Sequence, residues 1–151
     1  MIYDMTGVQH EYNNKTETQK RKKVYISGKM TGEEYLNFPL FNKVEFFLRQ
    51  KYNFDVVNPA TLSLELIRKE DPNYYIDPEN YEEIMKKLES LPQLNREYYL
   101  AYDIFNLASC DYIAFIDGWK ESSGARLEYN FAKIKGIKCY SLEKNFKLKE
   151  I

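Results

Sequence analysis

Two short segments and one isolated acid contain the side chains whose types and spacing could support chemistry. Ser122, Ser123 and Gly124 precede an amphipathic run that predicts a helix. The free N–H groups and the positive dipole end of such a helix favour an anion, for example a phosphate group. Glu128 lies about one and a half turns into this helix, and spacing alone indicates an ordinary exposed carboxylate. Trp119 is equally consistent with stacking on a base and with partial burial in its loop.

The segment around the first predicted strand supplies the second group of candidates. Tyr25 and Ser27 lie in a β-prone run that ends at Gly28, and Lys29 follows in the loop. Glycines and hydroxyl groups at the end of a strand let the backbone approach a ligand closely. The spacing differs from that of a Walker-type phosphate loop, so an ordinary strand-to-loop turn is the competing interpretation.

Asp103 is the isolated acid. It lies on a helix predicted over residues 95–109, beside the apolar face formed by Leu100, Ile104 and Leu107. A carboxyl group next to an apolar face can have a raised pKa and donate a proton. A surface aspartate without a chemical role is the alternative.

Strands and helices alternate along the sequence, and this order predicts how the candidates are positioned. Apolar β-prone runs predict strands over residues 24–27, 54–57, 112–116 and 137–140. Helical spacing predicts helices over residues 39–51, 62–69, 82–90, 95–109 and 123–135. The alternation indicates a single-domain α/β fold, flavodoxin-like or Rossmann-like, with a parallel sheet and helices on both faces. Ligands bind such sheets at the carboxyl ends of the strands.

The sequence predicts one folded unit between two polar ends. Residues 1–20 predict a flexible N-terminal tail because they lack apolar periodicity, and the charged residues 144–151 predict a C-terminal tail. Residues 21–143 form the predicted domain. The turn-rich stretch of about residues 64–92 is interpreted as an insertion, with a lid or an oligomer contact as its expected role.

Composition argues against several classes of function. The chain has 151 residues and a formal net charge of −1, whereas binding a nucleic acid polymer requires a surplus of Lys and Arg. We therefore expect no nucleic acid partner. The longest apolar runs are too short for a membrane span and the leader is polar, so we expect a cytoplasmic protein. His10, the single histidine, lies in the predicted tail, which disfavours histidine-based catalysis. Cys110 and Cys139 are predicted to be buried free thiols.

Taken together, these segments resemble the nucleoside 2-deoxyribosyltransferase superfamily, which includes the 2'-deoxynucleoside 5'-monophosphate N-glycosidases. The resemblance runs from about Lys23 to Ser141. It is carried by VYISGKMTG, by the Asp of LAYDIFNLASCDYIAFIDGW, and by ESSGARLEYNFA before a final GIKCY strand. The order and the spacing of the three segments agree with the family.

The resemblance implies a role for each main candidate. Glu128 matches the family's glutamate nucleophile, Tyr25 the tyrosine that orients it, and Asp103 the aspartate that assists proton transfer. Ser122 and Gly124 match the residues that hold the 5'-phosphate in the nucleotide hydrolases, whereas the nucleoside transferases have an aspartate at the first of these places. Because a carboxylate would repel a phosphate dianion, Ser122 favours nucleotides as substrates.

The remaining expectations concern ligands and partners. The predicted substrate-binding residues are Ser27, Gly28, Lys29, Trp119, Ser122, Ser123 and Gly124. We expect a small-molecule nucleotide or nucleoside as ligand, without a metal or cofactor. Family members complete their sites across a subunit contact, which implies a homodimer or larger homo-oligomer. Nucleotide hydrolases often have an arginine where this chain has Thr31, so Lys29 or Arg126 is the expected positive charge.

Three other functions stay open at this point. In a nucleoside 2-deoxyribosyltransferase, a second base replaces water as the acceptor. A nucleotide-binding sensor or sequestering protein on the same fold would not need Glu128. An NAD-cleaving enzyme is the third alternative, because related folds also use a catalytic glutamate.

Overall fold

Five strands and five α-helices build the part of the chain that the structure, a computed structural model, describes, which is residues 20–151. The strands are β1 (Lys23–Ser27), β2 (Asp55–Val57), β3 (Tyr112–Phe115), β4 (Lys138–Leu142) and β5 (Leu148–Glu150). The helices are α1 (Phe38–Tyr52), α2 (Pro59–Glu70), α3 (Tyr81–Glu89), α4 (Arg96–Leu107) and α5 (Ser123–Lys135). These bounds differ from the predicted ones by up to three residues.

One sheet contains all five strands in the order β2-β1-β3-β4-β5. The pairs β1–β2, β1–β3 and β3–β4 are parallel, and β4–β5 is antiparallel. After β1 the chain adds β2 on one side and β3 on the other, so the strand order reverses between β1 and β3. In open α/β sheets this switch point is where ligands bind. The predicted α/β fold is therefore confirmed, and its sheet is mostly parallel.

Helices cover both faces of the sheet because alternate residues of a strand point to opposite sides. Val24 and Ile26 belong to the core beneath α1 and α2. Tyr25 and Phe115 belong to the second core, beneath α4 and α5. The two central strands are buried on both faces, which explains their nearly continuous apolar sequences.

The expectation of a charged tail over residues 144–151 is wrong. Leu148–Glu150 form β5, which pairs with β4 from Tyr140 to Leu142. Leu148 packs against the core, and its N–H donates to the Tyr52 hydroxyl oxygen at 3.0 Å. The prediction failed because ladder hydrogen bonds come from the backbone, so an edge strand can carry charged side chains outward.

The predicted insertion over about residues 64–92 contributes side chains to the core, and its expected role as a lid or an oligomer contact stays a prediction. Ile67, Ile76 and Ile84 from this stretch are buried in the core beneath α1. Asn80 begins α3 by accepting a hydrogen bond from the Glu83 N–H at 3.1 Å. The stretch therefore has a structural part in the domain.

Some of the remaining expectations concern residues that the structure does not describe, and others can be compared with it. The predicted N-terminal tail, residues 1–20, lies outside the described residues except for Lys20, and His10 lies outside them too. Cys110 and Cys139 are both buried and free, as predicted. Between residues 20 and 151, no helix has the combined length and apolar character needed to cross a membrane.

Candidate active site

Glu128 is the one acid among the buried residues of the described chain. Ser122 begins α5, and its hydroxyl oxygen accepts the Ala125 N–H at 3.2 Å. From this start, helical spacing turns Ala125, Glu128 and Ala132 toward the sheet. The Glu128 side chain is consequently only 6 % exposed, and a charge in such a place needs partners.

Two hydroxyl groups from β1 supply those partners. Tyr25 donates its phenolic O–H to Glu128 Oε2 at 2.6 Å, and Ser27 donates its Oγ–H to Glu128 Oε1 at 2.6 Å. Residues two apart on a strand point to the same face, so the spacing of Tyr25 and Ser27 sends both hydroxyls toward α5. Each carboxylate oxygen of Glu128 thus accepts one short hydrogen bond, and the two bonds fix the orientation of the carboxylate.

Burial and hydrogen bonding act in opposite directions on the Glu128 carboxyl. Burial raises the pKa of Glu128 to about 7, and the hydrogen bonds from Ser27 and Tyr25 oppose that rise. The pKa of Tyr25 is raised well above its usual value, first by burial and then by the charge of Glu128. Tyr25 therefore stays protonated and remains a donor.

Asp103, on α4, faces the same cavity and is the second perturbed acid. Burial, followed by the charge of Glu128, raises the pKa of Asp103 to about 8. Because the pKa of Asp103 is the higher of the two, Glu128 is the acid that ionises first as pH rises, while Asp103 keeps its proton. Two acids with separated pKa values can divide the roles of nucleophile and proton donor.

The cavity that contains these acids opens at the switch point of the sheet. Its volume is about 710 Å³, within the usual range of small-molecule sites. Its wall combines the β1–α1 loop, the start of α2, one face of α4 and the N-terminus of α5. The lining residues that carry the argument below are Lys29, Arg96, Tyr99, Asp103, Ser122, Ser123, Gly124 and Glu128.

One face of α4 supplies two lining residues that sequence reasoning missed. Arg96, Tyr99 and Asp103 all line the cavity, and their offsets of three and seven residues place them along one helix face. The Arg96 guanidinium donates to the Ser123 Oγ at the start of α5. Counting back along the helix from Asp103 would have identified both residues.

The Tyr99 hydroxyl is the one buried side-chain polar atom without a hydrogen-bond partner among the described residues. Burial, and after it the charge of Asp103, raises the pKa of Tyr99 to about 12, so the phenol stays neutral. An unpaired buried polar group costs about 1–3 kcal/mol. A native structure that retains one invites an explanation in terms of function.

Trp119 does not reach the cavity. Its ring lies 4.3 Å from the Phe115 ring and 5.1 Å from the Tyr129 ring, measured between centroids. Trp119 packs against the second core and is not among the lining residues of the cavity, so its role in substrate binding stays a prediction. The alternative of a partly buried loop aromatic is the observed one.

Of the three first-strand candidates, Gly28 and Lys29 line the cavity, whereas Ser27 contacts Glu128. Ser27 is 1 % exposed and uses its hydroxyl on Glu128 instead of on a ligand. Gly28 lines the cavity, and a Cβ on it would come within 3.0 Å of Ile116 Cβ, so close packing also requires glycine there. Lys29 lines the cavity and pairs with Glu33 at 3.4 Å.

The three residues at the start of α5 line the cavity as expected from their position. A Cβ on Gly124 would lie 3.2 Å from Leu100 Cδ2, so glycine lets α4 approach this helix end. Arg126 donates to the Lys120 carbonyl oxygen at 2.7 Å and is not among the lining residues. Arg96 lines the cavity, as Lys29 does, and in addition contacts Ser123 at this helix end.

One family model matches the chain, described as "Domain of unknown function (DUF4406)", over residues 22–140. The match covers β1, α4 and α5, which carry Tyr25, Ser27, Asp103 and Glu128. No curated protein and no solved structure matches the chain.

Proposed function

Since the chain belongs to the family of the domain of unknown function DUF4406, we propose an activity from the site itself: hydrolysis of the N-glycosidic bond of 2'-deoxynucleoside 5'-monophosphates. One observation carries the proposal. A buried glutamate, Glu128, is held by two hydroxyl donors at 2.6 Å and shares a cavity with Asp103. The sequence resemblance to the 2'-deoxynucleoside 5'-monophosphate N-glycosidases supports the same chemistry.

In the first step, the ionised Glu128 carboxylate attacks C1' of the deoxyribose. The bond between C1' and the base nitrogen breaks, and its electron pair leaves with the base. Asp103, whose raised pKa of about 8 keeps it protonated at neutral pH, gives its proton to the departing base. The product of this step is a free base and a glycosyl ester of Glu128.

In the second step, Asp103 is a carboxylate and accepts a proton from water. The water oxygen bonds to C1', and the ester bond to Glu128 breaks with its electron pair returning to the carboxylate. Tyr25 and Ser27 then stabilise the regenerated anion through the hydrogen bonds already present. The net products are the base and 2-deoxyribose 5-phosphate, and both acids return to their starting protonation states.

The 5'-phosphate is proposed to bind at the N-terminus of α5. Ser122, Ser123 and Gly124 line the cavity there, and the first-turn N–H groups of a helix lack intrahelical partners. The Arg96 guanidinium, which contacts Ser123, adds a positive charge on the same wall. This arrangement favours a phosphate over a free 5'-hydroxyl group.

The acceptor distinguishes hydrolysis from transfer. In a nucleoside 2-deoxyribosyltransferase, a second base would take the place of water and attack the same glycosyl ester. Incubation of the protein with one deoxynucleoside monophosphate and a different free base separates the two, because only transfer yields a new nucleotide. We propose water as the main acceptor because Ser122 and Arg96 favour a phosphorylated substrate, and within the resembled superfamily the branch that acts on nucleotides hydrolyses them.

A homodimer in the cytoplasm is part of the same proposal. Phe105 on α4 and Ile134 on α5 are 76 % and 87 % exposed, and α4 and α5 are packed against each other. Large exposed apolar side chains on adjacent helices are typical of a protein contact surface. Light scattering after size exclusion measures the state, and Phe105→Glu should shift a dimer toward the monomer.

Base release is the direct test of the proposed activity. The four deoxynucleoside monophosphates and the matching deoxynucleosides are incubated with the protein, and free base is separated by chromatography. Glu128→Gln keeps the size of the side chain and removes the nucleophile, so we expect turnover to fall by at least about 10³-fold. Glu97→Gln, the same change at an exposed position of α4, is the control and should retain activity.

The outcomes are distinct. Release of base by the wild-type protein and by Glu97→Gln, with loss in Glu128→Gln, supports the proposal. Undiminished release by Glu128→Gln would remove Glu128 from the chemistry. Tight binding of nucleotides without release by any variant would favour the sensor, and release of nicotinamide from NAD would favour the NAD-cleaving alternative.

A further inference from the structure

Glu121 is an acidic residue at the end of the cavity where the proposed function places the phosphate. It lines the cavity and directly precedes Ser122, whose hydroxyl oxygen begins α5. A carboxylate beside a phosphate site weakens the binding of phosphate groups, because like charges repel each other. The proposed reaction gives Glu121 no part, so the presence of an acid at this place needs another explanation.

The start of α5 lies at the solvent end of the cavity. Glu128 is buried, whereas Arg96 and Ser123 are exposed. The helix rises about 7.5 Å from Ser123 to Glu128, so a nucleotide with C1' at Glu128 and its phosphate at Ser123 extends from the interior to the mouth of the cavity. A second phosphate, attached to the first, would then lie in the mouth.

The turn that carries Glu121 is held against α5. Trp119–Glu121 form a 3₁₀ turn, and the Arg126 guanidinium on α5 donates to the Lys120 carbonyl oxygen at 2.7 Å. The Glu121 Oε1 atom lies 3.5 Å from the position that a Cβ on Gly118 would have, so the carboxylate lies over its own turn. Its negative charge is therefore held at the mouth, next to the start of α5.

The two cations that line the cavity already have partners. Lys29 pairs with Glu33 at 3.4 Å, and Arg96 is the cation that the proposed function assigns to the 5'-phosphate. Within residues 20–151, Glu121 forms no ion pair with a lysine or an arginine. The charge of Glu121 is consequently uncompensated, and it acts on any anionic group that extends beyond the first phosphate.

We propose that the Glu121 carboxylate restricts the protein to deoxynucleoside monophosphates by repelling the outer phosphates of the di- and triphosphates. The inference rests on the proposed function, because it takes the position of the first phosphate from it. The N–H groups at the start of α5 and the Arg96 guanidinium attract the first phosphate more strongly than one exposed carboxylate repels it. The outer phosphates lie beyond these donors and next to Glu121, so repulsion decides their binding.

The test measures binding without turnover. Calorimetry in the Glu128→Gln background compares the mono-, di- and triphosphates of the four deoxynucleosides, with and without Glu121→Gln, and EDTA keeps metal ions from masking the phosphate charges. Glu121→Gln keeps the size of an exposed side chain and removes its charge, so we expect the variant to fold, as thermal unfolding will verify. Glu97→Gln, the same change at the exposed residue after Arg96, which is not among the lining residues, is the matched control.

We expect the parent protein to bind monophosphates more tightly than di- and triphosphates, and Glu121→Gln to reduce this preference about fivefold through tighter binding of the longer ligands. Glu97→Gln should leave the preference unchanged. The difference between Glu121→Gln and its parent should shrink as salt is added, because salt screens exposed charges. A purely structural role of Glu121 would not depend on salt in this way.

Four results overturn the inference. The first is a parent protein without a preference for monophosphates, and the second is an unchanged preference in Glu121→Gln. The third is an equal gain for all three classes of ligand, because the carboxylate would then not distinguish the number of phosphates. The fourth is an equal loss of preference in Glu97→Gln, which would indicate the overall charge of the protein instead of the position of Glu121.

The proposed function is tested separately, by base release from the wild-type protein. If Glu121→Gln reduces the preference for monophosphates but no base is released, the role of Glu121 stands and the glycosidase proposal fails. If base is released and the preference persists in Glu121→Gln, the glycosidase proposal stands and the role of Glu121 fails. If no nucleotide binds, both fail.

Discussion

Tyr25 and Glu128 are 103 residues apart in the chain, and the phenolic O–H of the first donates to Oε2 of the second at 2.6 Å. Both groups are buried, so the bond joins β1 to α5 out of contact with water. In such surroundings a hydrogen bond to a charged oxygen is stronger than at the surface. The carboxylate is therefore oriented before any substrate arrives.

Tyr25→Phe should raise the pKa of Glu128 further, because it removes one of the two hydrogen bonds that oppose the effect of burial. The rising side of the pH dependence of kcat/KM should move to higher pH by about one unit, and activity at pH 7 should fall about fivefold. Steady-state base release from pH 5 to 9 measures both effects.

Tyr102→Phe is a suitable control for this change. Tyr102 lies on α4, and its hydroxyl contacts Glu65 at 3.1 Å outside the acid pair. The pH profile of the Tyr102→Phe variant should match that of the wild-type protein. If Tyr25→Phe lowered activity equally at every pH, its hydrogen bond would have no part in setting the ionisation of Glu128.

The wild-type protein should have a bell-shaped pH dependence of kcat/KM. The proposed mechanism requires Glu128 to be ionised, which gives a rising side near its pKa of about 7. It also requires Asp103 to be protonated, which gives a falling side near its pKa of about 8. The two apparent values belong to the coupled pair. A flat profile between pH 5 and 9 would contradict the assigned roles.

Asp103→Asn should stabilise the fold most at alkaline pH. The folded-state pKa of Asp103, about 8, lies above the ordinary value of 3.8, so the folded protein binds this proton more tightly than the unfolded chain does. Stability is then lost as pH rises from about 4 to about 8. Asparagine has no proton to lose, and the gain from Asp103→Asn should be larger at pH 9 than at pH 5 by at least about 1 kcal/mol.

Urea unfolding at pH 5, 7 and 9 measures this difference directly. Asp117→Asn, the same substitution at an exposed residue, should show little change with pH relative to the wild-type protein. The Asp103→Asn variant should also lose base release, because the proton donor is gone. A gain in stability that is the same at all three pH values would indicate that Asp103 is ionised in the folded state throughout.

Arg96→Gln should discriminate between nucleotides and nucleosides. If the guanidinium beside Ser123 binds the 5'-phosphate, its removal should raise KM for a deoxynucleoside monophosphate about tenfold. The matching deoxynucleoside has no phosphate and should be affected far less. Arg126→Gln, on a cation that instead donates to the Lys120 carbonyl, is the matched control. Equal effects on both substrates would place the phosphate elsewhere.

Much of this architecture could be predicted from the sequence because the signals were local. The apolar runs that became β1 and β3, and the Ser-Ser-Gly start of α5, needed only strand propensity and helix-start chemistry. The position of Glu128 on α5 followed from its distance to that start. The burial of the Glu128 carboxylate could not be predicted from the sequence. Helical spacing alone does not determine which side of the helix faces the sheet.

The errors and omissions concern contacts between distant segments. The sequence did not show that Trp119 packs beside Phe115 and Tyr129, outside the lining of the cavity. Arg96 and Tyr99 were not considered, because their place on the cavity wall depends on how α4 lies against α5. The strand Leu148–Glu150 was missed since its pairing with β4 is made by the backbone, which the side-chain pattern does not reveal.

The packed position of Trp119 beside Phe115 and Tyr129 provides an optical reporter. It is the only tryptophan in the chain, and the 3₁₀ turn that begins with it ends one residue before Ser122, the start of α5. Selective excitation of indole therefore observes a single point beside that helix end. A change in its fluorescence intensity on mixing would let rapid kinetics follow ligand arrival without any attached dye.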